Sequence, residues 1–424
     1  MTRTSSGRSL ALLLLAPLGS SAPLAAQSVH VVDDDGGAPF ATIQAAVDFA
    51  QPGDVVLVRA GDYAEFQLLG KGVSIVADAE AEVRVLGSVG SMTSEVGDLP
   101  AGQRALLRGL RFVPPSTMDD HVLRVRDADG VVWLEELVVE APLPLPFSYS
   151  LTVAESMSIQ SSAQVVLSAC TVLGASGAPQ GFGLEAGADA LEVVESEVHA
   201  YGCEFAGGPT LVIGGTGQNG VNMQSGTLIL RGGTLLGARG GDSGVFGSPG
   251  PGNGGAALWA AGGEVWSIGC SLVGGDGGGS PLGGGPFGDP GPPFQLAGGV
   301  VNEHAAQNAL FHSTRVVRDD AQENDVVLSL AGPAQSSLFL LASFESEPTF
   351  VQAFPDVLAT GLGALVVPVG STSALGDFEL AIGMPSLPPG LDSWNMSLQM
   401  ALLTPTTGLE FSNPSLPLVV DESF

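Results

Sequence analysis

The chain has 424 residues and a formal net charge of -30, from 44 acidic and 14 basic residues, with Lys71 the single lysine. That balance argues against nucleic acid and anionic lipid as partners, because phosphate recognition needs clustered Lys and Arg. Charged residues are 14% of the chain, hydrophobic ones 45%, and glycine numbers 61, which excludes a charged disordered chain and points to short apolar strands joined by glycine turns.

The first segment predicts a secretory signal peptide over residues 1–26. Arg3 and Arg8 precede the apolar run Leu10–Leu18, and the small-residue stretch "SSAPLAAQ" follows, with cleavage expected after Ala26. The apolar run is too short to span a bilayer, and no later segment has the roughly 18 apolar residues of a membrane helix. A secreted or cell-surface protein is expected. Next comes an acidic run, Asp33, Asp34 and Asp35, of the kind that is usually solvated.

A short helix is predicted from Ile43, Ala46, Val47 and Ala50, which fall on one face, with Thr42 as N-cap and Pro52–Gly53 as the stop. Three short strands follow: "DVVLVR", "EFQLLG" and "KGVSIVAD". A helix ahead of short strands suits the start of a stacked β-coil, whose open edge and apolar end need a cap. The stretch "ATIQAAVDFAQPGDVVLVRAGDYAEFQLLGKGVSIVAD" resembles the opening of right-handed parallel β-helix proteins of the pectin-lyase-like superfamily, which includes pectate lyases, pectin methylesterases and polygalacturonases. The resemblance covers about forty residues and implies a fold more than an activity, since one scaffold serves unrelated chemistries. The expected fold is all-β: a right-handed parallel β-helix with an N-terminal capping helix, followed by a small C-terminal β-sandwich.

Loose repeats continue the coil. Apolar segments recur at Leu106–Val113, Trp133–Glu140, Val165–Gly174, His199–Gly208, Leu228–Gly237 and Val265–Gly275. Cys170, Cys203, Gly233 and Cys270 each stand four residues before a glycine, at spacings of 33, 30 and 37. Equivalent residues of successive coils stack, so the three cysteines are expected to form a buried ladder interrupted at Gly233. An odd cysteine count gives no closed disulfide framework, and no CxxC spacing supports a zinc site. The solenoid is expected over 29–317, with Gly/Pro-rich loops at 237–256 and 274–293 that are flexible or polyproline-like, protrude and make no core of their own. A linker and first strand are expected over 318–332 and the sandwich over 333–424. Its last stretch, "SLQMALLTPTTGLEFSNPSLPLVV", is similar to C-terminal modules of exported bacterial proteins.

Candidate chemistry is sparse. Asp119, Asp120 and His121 put two carboxylates beside an imidazole, a set that could hold Ca²⁺ or divide acid and base roles in glycoside hydrolysis; the plainer reading is a solvated loop. Arg124 and Arg126, two apart on a strand, face one side and could meet a uronate, with Asp127 beside them. These five, Asp119, Asp120, His121, Arg124 and Arg126, are the catalytic candidates; Asp119, Asp120 and Asp127 are the candidate Ca²⁺ ligands. The pectin-lyase-like resemblance implies further sets that are missing here: polygalacturonase "GDD", "GHG" and "RIK", or the Gln, Asp and Arg set of the methylesterases. "GGDSG" at Gly240–Gly244 looks like a protease serine loop without its base, "GGDGGG" at Gly274–Gly279 is a weak Ca²⁺ repeat, and Asn395 heads a glycosylation sequon. The expected role is an exported, non-catalytic scaffold or carbohydrate- or surface-binding protein. The alternative is a lyase or glycoside hydrolase acting on acidic polysaccharide.

Overall fold

The structure is a computed structural model. It describes residues 27–424 except 88–93, 115–120, 141–154, 178–186, 211, 244–249, 281–286, 307–308, 320–324, 344–348, 352–355, 359–363, 384–386, 388–390, 407 and 422. Residues 1–26, expected to be a signal peptide, and the pair Asp119–Asp120 lie outside the described residues.

Successive turns of chain build three parallel sheets. The first has ten strands, from Val29–Val32 through Val131–Glu135 to Val300–His304; the second and third have eight each. Each coil runs first sheet, tight corner, third sheet, longer loop, second sheet, and back. The chain is therefore a parallel β-helix, as its opening residues led one to expect. Strict in-register pairing stacks like on like. Leu123, Met157, Leu191, Val221, Leu258 and Phe294 form one interior column, and Val125, Ile159, Val193, Met223 and Ala260 another.

Each recurring sequence segment spans the same corner, between first and third sheets. The corner residue of these six segments is left-handed: Gly109, Glu136, Ala169, Gly202, Gly232 and Gly269, with φ between 53° and 72°. Each donates its N–H to the next coil, for example Ala169 to the Tyr201 carbonyl at 2.9 Å. The following residue points inward, which places Cys170 and Cys203 in the core with free thiols and Cys270 partly buried at the last coil. Burial pushes the Cys270 thiol up to about 11 and Cys170 well above its ordinary value, the conduct of inert core thiols.

The helix Ile43–Phe49 closes the first coil. Thr42 caps it, its hydroxyl accepting from the Ala45 N–H at 3.2 Å, and Ile43, Ala46 and Val47 are buried. Gln44 then acts as a strand surrogate for the edge of the second sheet: its Oε1 accepts from the Gln67 N–H at 2.7 Å and its Nε2 donates to the Gln67 carbonyl at 3.3 Å. Lys71 donates to the helix-end carbonyls of Ala50 (2.7 Å) and Asp48 (3.3 Å), where a cation also suits the helix dipole. The acidic run completes this end. Asp34 accepts from the Asp62 N–H on the edge of the third sheet, and Asp33 pairs with Arg59.

The glycine-rich stretches differ from the expectation. They are hydrogen-bonded to one another instead of standing clear without a core. Residues 237, 240 and 243 donate to the carbonyls of 273, 276 and 279; 238 and 241 donate to 218 and 215; 255 and 252 donate to 238 and 241; 275 and 278 donate to 255 and 252; 291 and 288 donate to 275 and 278. Every set steps by three, the repeat of a polyproline-II coil, whose backbone groups all point outward and have no internal partner. The missing Cβ makes this possible. A Cβ on Gly275 would come within 1.9 Å of the Ala238 carbonyl oxygen, and one on Gly255 within 2.0 Å of that of Gln218. Backbone pairing, not apolar burial, holds this bundle together.

After the last coil the chain makes antiparallel sheets, beginning with Leu310–Ser313, which pairs with Asp325–Ala331. Their core includes Phe311, Leu328, Leu340, Met400 and Trp394. These sheets lie against the outer face of the first solenoid sheet, where Val55, Leu57, Val76, Leu106, Trp133 and Val166 meet Val316, Leu416, Leu418 and Val420. Polar ties cross the seam. Buried Arg108 donates to the Leu416 carbonyl at 2.6 Å and sits 3.5 Å from Glu135, whose carboxylate accepts from the Ser415 hydroxyl (2.6 Å) and the Leu416 N–H (3.0 Å). Ser168 donates to the Pro414 carbonyl, and Arg104 donates to Asn395, a residue 7% exposed and so a poor glycosylation acceptor. No helix among the described residues is long and apolar enough to cross a membrane.

Candidate functional site on the second sheet

One outward column runs the whole length of the second sheet: Gln67, Glu95, Arg124, Ser158, Glu192, Asn222, Trp259 and Gln295 stand in register on its eight strands. Most of them alternate with buried apolar neighbours such as Leu123, Val125, Met157, Ile159, Leu191 and Val193, so strand geometry fixes the direction of the polar groups. Adjacent members are about 4.8 Å apart, the inter-strand spacing. Trp259 is half-buried in this column.

Of the residues singled out in the sequence, Arg124 and Arg126 do share the outer face. Arg126 is engaged by Glu95 (2.5 Å), Asp127 (2.8 Å) and Asp98 (3.6 Å). Asp127, with φ of 50°, turns the corner toward the first sheet and spends its carboxylate on Arg126. His121 is 8% exposed, and its Nδ1 donates to the Glu155 carbonyl at 2.9 Å. The two weak motifs belong to the glycine bundle. Asp242 accepts from the Gly279 N–H at 2.7 Å and from Arg239, and no hydrogen bond joins Ser243 to an imidazole among the described residues.

The residues that do converge were not evident in the sequence. His121, Glu155 and Glu192 come from three successive coils and bring one side-chain ligand atom each within 4.8 Å of the others. Glu192 is held by the Ser158 hydroxyl (2.9 Å), Gln160 (3.3 Å) and Gln224 (2.8 Å). Burial holds the Glu155 carboxyl above its ordinary value; the charges of Glu192 and Asp189 add to this and His121 opposes it. Burial likewise raises Asp189, although it accepts from the Asn219 N–H at 2.6 Å. Comparison with protein-family models finds none that matches the chain, and comparison with curated proteins finds no match.

Proposed function

We propose that the chain is an exported, non-catalytic β-helix protein of the pectin-lyase-like kind that binds polysaccharide at or near the cell surface through its second sheet. The observation that carries this reading is the column Gln67–Glu95–Arg124–Ser158–Glu192–Asn222–Trp259–Gln295. The side-chain amides of Gln67, Asn222 and Gln295 suit the hydroxyls of an extended glycan, and the Trp259 ring offers a platform for a sugar face. The first sheet's outer face is covered by the C-terminal sheets. Glu95 and Glu192, in a chain of net charge -30, favour a neutral glycan over a polyanion.

Electrophoresis through gels containing single polysaccharides tests this. At least one neutral polysaccharide should retard the protein, and Trp259→Ala should restore free mobility. Retardation by none, or retardation unchanged in that variant, overturns the reading.

One observation favours a second reading, a glycoside hydrolase. Glu155, with a raised carboxyl, stands close to Glu192, as an acid and its partner carboxylate would. New reducing ends released by the protein and abolished by Glu155→Gln would establish it.

A further inference from the structure

We infer that His121, Glu155 and Glu192 form a binding site for a first-row divalent transition metal of the zinc class. The three side chains come from three successive coils: His121 and Glu155 stand two residues before the paired Leu123 and Met157, and Glu192 one residue after the matching Leu191. A metal holding ligands at about 2.0–2.2 Å needs its ligand atoms about 3–3.5 Å apart, so the three ligand atoms, now within 4.8 Å of one another, would draw together on binding.

Two of the three ligands are oriented by a second contact. The Glu155 carbonyl can only accept, so Nδ1 of His121 carries the proton and the ring's lone pair sits on Nε2. An imidazole fixed by a backbone carbonyl is a recurrent support for metal-bound histidine. Glu192 is fixed by Ser158, Gln160 and Gln224, none of which exhausts the lone pairs of its two oxygens. Mixed nitrogen and carboxylate donors suit zinc or its neighbours better than Ca²⁺ or Mg²⁺, which prefer oxygen alone. The site shares Glu192 with the glycan column, and metal binding is read without glycan so that the two readings fail separately.

The test is equilibrium dialysis of the untagged, chelator-treated full chain against Zn²⁺ and, separately, Ca²⁺, with no glycan present. About one equivalent of Zn²⁺ should bind more tightly than Ca²⁺. His121→Ala and the isosteric Glu155→Gln and Glu192→Gln should each weaken it by about tenfold or more. Their unfolding midpoints in chelator show which variants are folded and count. Asp34→Asn and Cys270→Ser should bind like the parent. Absence of zinc binding, binding indifferent to the folded His121 and Glu155 variants, binding lost in Cys270→Ser, or preference for Ca²⁺ each overturns the site.

Discussion

Gly233 lies against Cys203 so closely that a Cβ on it would come within 2.1 Å of the Cys203 carbonyl oxygen. With φ of 85°, it also occupies a region that side chains disfavour. This is why the column of inward cysteines breaks at this coil. Gly233→Ala should destabilise the protein by about 2–4 kcal/mol, from steric overlap plus left-handed backbone cost. Denaturant titration reads the change; a loss below measurement error would show that the corner relaxes freely.

A coil two turns earlier predicts the opposite sign. Ala169 holds the corner position that Gly232 occupies beside Gly233, with φ of 53°, where the other coils use Gly four times. Ala169→Gly should stabilise by about 0.5–1 kcal/mol, the left-handed penalty less the chain entropy glycine costs. A rise in the thermal midpoint checks it.

Asp54 ties the first strand to the helix end. Its carboxylate accepts from the Gln51 N–H (2.8 Å), the Ser28 N–H (3.1 Å) and His30 (3.0 Å). Burial raises this carboxyl, but the bonds from Gln51, His30 and Ser28 outweigh it and leave it below its ordinary value of 3.8. The stability it contributes is present above that ordinary value and is lost as pH falls through the lower folded one. Asp54→Asn should therefore destabilise at neutral pH, and the gap to the parent should shrink on acidification below 3.8. Parallel unfolding curves across pH decide; a constant gap contradicts it.

Arg108 and Glu135 are both almost wholly buried at the seam between solenoid and C-terminal sheets. Glu135→Ala leaves Arg108 with a poorer set of partners and should cost about 3–5 kcal/mol, whereas replacing both by Met should cost much less than the two single losses together. A double-mutant cycle in denaturant measures the coupling; strict additivity would remove the pair from the account.

Amides at 238, 241, 252, 255, 275 and 278 donate to carbonyls within the glycine bundle. They should exchange with solvent far more slowly than glycine-rich linker amides. Hydrogen exchange resolved by mass spectrometry checks this, and Gly275→Ala should collapse the protection.

Much of the solenoid was legible because coil geometry is local. Alternating residues named the strands, Thr42 and Pro52 bracketed the helix, and the glycine spacing after Cys170, Cys203 and Cys270 marked the corner. The His121–Glu155–Glu192 cluster was not legible, since its members meet only through register between coils of unequal length. Two signals were present but differently weighted. Val55–Val58 is apolar on both faces and buried throughout, which marks a sheet covered on both sides. The GG-x-GG spelling of Gly274–Gly278 carries the period of three that pairs backbones.

That period has a consequence for how such a sequence can vary. A glycine-rich loop is ordinarily the part of a chain freest to lengthen or shorten. Here the donors of each stretch meet their acceptors only every third residue, so one added residue would turn all later N–H groups away from their partners. Within these stretches, length is quantised: tolerated insertions and deletions should come in threes, like codons kept in frame.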